Sequence, residues 1–117
     1  MEILNAKIED VSISMADHGC LTFWLHLKLP GGGCCYGGIC IGHGYLGSDK
    51  FDATDKGLTA MMHIMDTVGV EKWEDLVGKY CRVKSDGWGS SISIIGNIIE
   101  DKWFDIEDYF KKPKESD

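Results

Sequence analysis

The chain has 117 residues, 44% of them apolar and 26% charged, with a formal net charge of −7. This is the size and make-up of one globular domain, and it excludes disordered and collagen-like classes. No eighteen apolar residues follow one another, and the opening MEILNAKIED has neither a basic n-region nor an apolar run of signal-peptide length. A cytoplasmic protein with no membrane partner is expected.

Residues 2–15 read as a strand with a bend: Leu4, Ala6 and Ile8 alternate, the phase slips near Glu9 and Asp10, and Val11, Ile13 and Met15 resume it. Ala16-Asp17-His18-Gly19 has turn chemistry. Leu21, Phe23, Leu25, Leu27 and Leu29 then alternate with Thr22, Trp24, His26 and Lys28. This period of two predicts one core face and one face bearing an indole and an imidazole. Pro30 and three glycines turn the chain, and Cys34 to Ile41 returns as a third strand. Gly37 and Gly38 inside that strand predict a bulge or a close approach, and residues 42–52 read as a loop.

Thr54 or Asp55 is a suitable N-cap for the main helix, over about residues 56–68. Leu58, Met61, Met62, Met65 and Val68 form an apolar stripe that predicts its buried face. Gly69 is placed to end it. A short helical turn is expected over 71–77, closed by Gly78. Lys79 to Lys84 and Ser90 to Ile99 read as strands joined by Ser85-Asp86-Gly87-Trp88-Gly89. Gly96 is expected to bend the second of these. Asp105 can cap a last short helix that turns Ile106, Tyr109 and Phe110 inward. These elements make one α+β domain over residues 1–112, followed by a polar tail over 113–117. About five strands in the order β-β-β-α-β-β form a curled, mostly antiparallel sheet packed against one main helix.

The segment from Leu29 to Gly47 holds eight of the fifteen glycines and three of the five cysteines, with no Asp, Glu, Lys or Arg. Such a concentration of glycine marks a place where backbone or ligand approaches closely. One candidate is a small-molecule or nucleotide pocket at Tyr36, Gly37, Gly38 and His43. A second is a stacking platform of Trp24, His26, Tyr36 and Tyr45, with covering by the Trp103-Phe104 segment as the simpler reading of that aromatic face. The stretch lacks the GKT/S end of a P-loop and does not fit GxGxxG.

Cys20, Cys34, Cys35, Cys40 and Cys81, with His18 and His43, supply enough donors for zinc. The paired CxxC knuckles of a zinc module are missing, and Cys40-x2-His43 is half of one. No metal and no cofactor are expected, and the odd cysteine count fits free thiols. No cysteine–histidine pair stands out as a nucleophile and base, so no enzymatic activity is expected.

Charge is unevenly laid down: residues 48–78 carry seven acids against three lysines, and residues 100–117 seven acids against four. Only Lys79, Arg82 and Lys84 make a locally basic segment. Direct binding to nucleic acid, which depends on Lys and Arg neutralising phosphates, is disfavoured by this balance. A basic protein surface is the more natural partner. Asp49, Asp52, Asp55, Glu71, Glu74, Asp75, Asp101, Asp105, Glu107 and Asp108 are the candidate contacts, and a second copy of the chain is a further candidate partner.

Asp17-His18-Gly19 before an alternating strand, the GGG…YGG stretch, the run Thr67 to Lys79 (TVGVEKWEDLVGK) and the run Ile95 to Phe104 (IGNIIEDKWF) resemble a family of small proteins of tailed phages and prophages. The likeness covers almost the whole chain. Cys34, Cys35 and Cys40 depart from it, falling where polar or aromatic residues are expected. The resemblance implies a viral origin and expression inside a bacterium, and carries no activity. The leading expectation is a phage-encoded, non-catalytic inhibitor of a basic host defence protein, such as a nuclease or other nucleic-acid-binding complex. The alternatives are a nucleotide-sequestering module and an accessory of phage recombination that contacts single-stranded DNA.

Overall fold

The computed structural model describes residues 1–17, 19–86 and 92–111. Seven strands form one curled, open antiparallel sheet: β1 (Glu2–Asp17), β2 (Cys20–Leu29), β3 (Gly32–Gly44), β4 (Phe51–Ala53), β5 (Tyr80–Ser85), β6 (Ile94–Gly96) and β7 (Trp103–Asp105). Their order across the sheet is β4-β3-β2-β1-β5-β6-β7. Helix α1 (Asp55–Val68), a 3-10 turn (Trp73–Leu76) and helix α2 (Ile106–Lys111) complete the chain.

β1 is the spine. Its residues 7–17 pair with β2 and its residues 2–7 with β5, so that Lys7 stands opposite both Lys28 and Tyr80. The register slips between Ile8 and Asp10, as the broken alternation predicts. A bulge there adds a residue on one side and increases the local twist. The alternation of β2 holds from Phe23 to Lys28, with Phe23, Leu25 and Leu27 buried and Trp24, His26 and Lys28 exposed, whereas Thr22, expected on the polar face, is buried beside the bulged part of β3. The buried side chains join Ala6, Ile8, Tyr36, Cys81, Val83, Ile95 and Phe104 in a core that Ala60 and Ile64 of α1 close.

α1 begins where Thr54 Oγ1 accepts a hydrogen bond from the Gly57 N–H at 3.1 Å. It ends at Gly69, whose φ of +95° and N–H bond to the Met65 carbonyl close the last turn. Its buried face is not the predicted one. Gly57, Ala60, Ile64 and Thr67 are buried, with Met61, Met65 and Val68 at the margins, while Leu58 and Met62 are exposed. The reason is distance: Gly57 sits directly on Ile41. Small residues let the axis approach the sheet, and the bulkier side chains are displaced to the flanks.

β4 and β7 are additional to the expected strands, since three residues are too few to show a period. Pairing of 42–44 with 51–53 also shortens the predicted loop. Of the strand predicted over 90–99, residues 90 and 91 lie outside the described residues and Ile94–Gly96 form β6, and the helical turn predicted over 71–77 is the 3-10 turn. α2 is capped as expected, with the Asp108 N–H donating to Asp105 Oδ1 at 3.1 Å. His18, residues 87–89 of the predicted hairpin turn and the 113–117 tail lie outside the described residues. Among the described residues no helix is long and apolar enough to cross a membrane.

Replacing Gly57 with alanine tests the close helix–sheet contact. Intrinsic helix propensity favours alanine by about 1 kcal/mol, but a Cβ there would lie 2.5 Å from Ile41 Cβ and Cγ2. Overpacking of this kind costs about 1–3 kcal/mol. The expected outcome is a lower urea midpoint for Gly57→Ala; a higher one would mean that the helix does not sit against Ile41.

Candidate functional site

Both helices and the 3-10 turn pack on the core face of the sheet. Among the described residues no element lies over the other face. Two glycine-seated indoles line that open face. A Cβ on Gly38 would run into the ring of Trp24, and one on Gly96 into the ring of Trp103. Each indole therefore covers a glycine backbone and is itself a layer of the sheet surface. Trp103 lies on an edge strand of this face and not across it, so the expected covering of Trp24 and His26 by the Trp103-Phe104 segment is corrected. Phe104, next in sequence, turns to the core.

The register places the open-face residues in rows. One row runs Lys28–Lys7–Tyr80, the next Asn5–Arg82–Gly96–Trp103, and the third Ile3–Lys84–Ile94–Asp105. These rows hold four cations and one acid, and the acid, Asp105, turns its carboxylate to the first turn of α2. Lys7 Nζ lies 5.9 Å from the Tyr80 ring centroid, and Lys84 Nζ lies 4.5 Å from that of Trp103. The Arg82 guanidinium is 4.7 Å from the same indole. It donates at 2.7 Å to the carbonyls of Asn97 and Glu100, tying down the β6–β7 turn. Lys7, Lys28 and Lys84 supply the other three cations of this end.

The other end of the face is lined by imidazoles and thiols. His26 stands between Asp10 and Cys35 in register, with its Nδ1 3.4 Å from Cys35 Sγ. Farther along, His43 Nδ1 lies 3.8 Å from both Cys20 Sγ and Cys40 Sγ.

The predicted ligand residues are not brought into one pocket. Tyr36 is fully buried on the core face, where its hydroxyl donates to the Phe104 carbonyl at 3.4 Å. Burial, with Asp105 nearby, raises its pKa above the ordinary tyrosine value. Gly37, at φ +108°, backs onto Phe23, and Gly38 is under Trp24. Tyr45 is exposed, beside Gly19. Trp24, His26 and His43 do share the open face.

Of the ten predicted acidic contacts, Glu71, Glu74 and Asp75 come together with Gly69, Val70, Val77 and Lys79 around an open cleft of about 530 Å³. The others are spread out. Asp49 and Asp52 lie at the β4 edge and Asp55 in the first turn of α1. Asp101 accepts from Trp103 Nε1 at 2.7 Å, Glu107 pairs with Lys111 at 3.2 Å, and Asp105 and Asp108 sit at the start of α2.

Sequence reasoning missed Lys7, Lys28, Tyr80, Lys84 and Trp103 as one group. A partial signal was present, because Tyr80, Arg82 and Lys84 alternate with buried Cys81 and Val83. Lys7 and Lys28 join them through strand pairing alone. No protein-family model, no curated protein and no solved structure matches the chain.

The cysteines divide by environment. Burial pushes the Cys81 thiol up to about 12, with Cys34 adding to the shift, and burial, with Cys35, raises Cys34. Cys35 is exposed. Native labelling should therefore modify Cys35 early and Cys81 only on unfolding. The neutral Cys81 thiol stabilises the fold in full below the ordinary value of 9.0. That contribution is lost as pH rises from there toward about 12, because the unfolded chain releases the proton first. Cys81→Ala should show a shallower fall of the urea midpoint with pH in this window. An equal slope in both proteins would remove the buried thiol as the cause.

Proposed function

We propose that this protein is a non-catalytic binding protein that takes single-stranded nucleic acid on the basic end of its open sheet face. The observation that carries the reading is the clustering of Lys7, Lys28, Arg82 and Lys84 around Tyr80 and Trp103, on a chain whose net charge is −7. Net charge counts against such binding only when the charge is evenly spread. At physiological salt the screening length is about 8 Å, so a phosphate responds to the side chains it touches. Lysines neutralise phosphates, and exposed rings stack on bases for about 1–3 kcal/mol each without reading sequence. Tyr80 is 57% exposed, and Lys7 and Lys28 are exposed beside it. The resemblance to phage proteins gives such a strand a setting, as in an accessory of phage recombination.

A second reading keeps the acidic inhibitor of a basic host protein. It is favoured by the cleft at Glu71, Glu74 and Asp75, where three of the predicted acids converge. In that reading the protein meets a basic nucleic-acid-binding surface by charge complementarity.

Titration of a fluorescent single-stranded oligonucleotide tests the first reading. Three lysine–phosphate contacts predict a slope of log affinity against log salt of about −2. Lys7→Glu with Lys84→Glu should abolish binding, and Tyr80→Ala should weaken it about tenfold. Absence of binding at low salt, or binding indifferent to the lysine reversals, would overturn it. Retention on a polylysine surface that is lost on charge reversal of Glu71, Glu74 and Asp75 would favour the second reading.

A further inference from the structure

The geometry points to a zinc-type metal site formed by Cys20, Cys40 and His43 at the far end of the open face. Their ligand atoms all lie within 4.8 Å of one another. In a tetrahedral site with Zn–S of about 2.3 Å and Zn–N of about 2.0–2.1 Å, neighbouring ligand atoms are roughly 3.6–3.8 Å apart. The thiol-to-Nδ1 separations, from Cys20 and from Cys40 to His43, are both 3.8 Å. Two soft sulfurs and an imidazole are a donor set suited to zinc over magnesium or calcium.

The backbone explains how residues from two strands reach this arrangement. Cys20 and His43 are direct cross-strand partners. Cys40 is three residues before His43, a spacing that in a regular strand sends the two side chains to opposite faces. The register slips between Leu21 opposite Gly42 and Thr22 opposite Cys40. The extra residue there, Ile41, turns into the core and returns Cys40 to the face of His43. A further bond, from the Gly44 N–H to the Gly19 carbonyl at 2.8 Å, closes the end of the hairpin beside the cluster. Ligand positions fixed by backbone pairing lower the ordering cost of binding an ion.

Cys20 and Cys40 are half-buried and His43 is exposed, so an ion has access. The Cys40 thiol donates to the Gly42 carbonyl at 3.1 Å. On metal binding both thiols give up their protons to solvent and bind as thiolates, with His43 neutral. The chain supplies three ligands, leaving a fourth position for water or a ligand atom from elsewhere. The site is independent of the proposed nucleic-acid surface.

Cobalt(II) titration of the reduced, tag-free protein is the direct probe. One equivalent should produce a thiolate-to-cobalt charge-transfer band and the visible bands of a tetrahedral ion, both abolished by one equivalent of zinc. Cys20→Ser and Cys40→Ser should each weaken zinc binding at least tenfold, while Cys35→Ser leaves it unchanged. Alkylation mapping of the unaltered protein needs no variant: zinc should protect Cys20 and Cys40 and leave Cys35 reactive. Absence of the charge-transfer band at one equivalent, its persistence in the Cys20→Ser/Cys40→Ser double variant, or equal alkylation of Cys20 and Cys40 with and without zinc would overturn the site.

Discussion

One helix layer has to serve a seven-stranded sheet, and the rest of the molecule follows from that mismatch. Seven strands at about 4.8 Å spacing make a flat sheet roughly 29 Å wide, and the fourteen residues of α1 are only about 21 Å long. A flat sheet would leave much of its apolar face wet. Curling brings β3 on one side and β6 and β7 on the other against the same helix. β1 makes the curl possible, because it pairs with neighbours on both sides and carries a bulge where the two pairings meet.

With the helices all on one side, the second face is left mainly to polar and aromatic side chains, with Ile3 and Ile94 among them. Among the described residues no second layer covers this face, and the two indoles laid on Gly38 and Gly96 finish it. A glycine in a strand leaves backbone exposed, and a neighbouring ring restores the cover. The glycine-rich strand is thereby explained in large part by packing: Gly37 backs onto Phe23 and Gly38 lies beneath Trp24. Its bulge also brings Cys40 and His43 to one face. Gly37 and Gly38, which look like part of a ligand loop in the sequence, serve here to shape a surface.

Much of this fold is legible in the sequence. The alternation of residues 21–29 marks both faces of β2, and Thr54, Gly69 and Asp105 mark helix ends where the structure has them. The short edge strands are not legible, since β4 and β7 owe their existence to partners already in place. The buried face of α1 is misread because hydrophobicity ranks Leu58 and Met62 above Gly57, whereas close approach to Ile41 selects for small size. The candidate surfaces are the least legible. Which acids converge, which lysines share a row and which thiols meet one imidazole are matters of register, and register is a property of strand pairs.

The sheet has one dry face and one wet one. Adding a soluble gadolinium chelate to isotopically labelled protein measures the difference directly through side-chain NMR relaxation. The signals of Trp24, His26, Lys28, Lys7 and Tyr80 should broaden strongly, while those of Phe23, Leu25 and Val83, from the same strands, and of Tyr36 on β3 stay sharp. Equal protection of Trp24 and Phe23, or of Lys7 and Ile8, would mean that a second layer covers the face described as open.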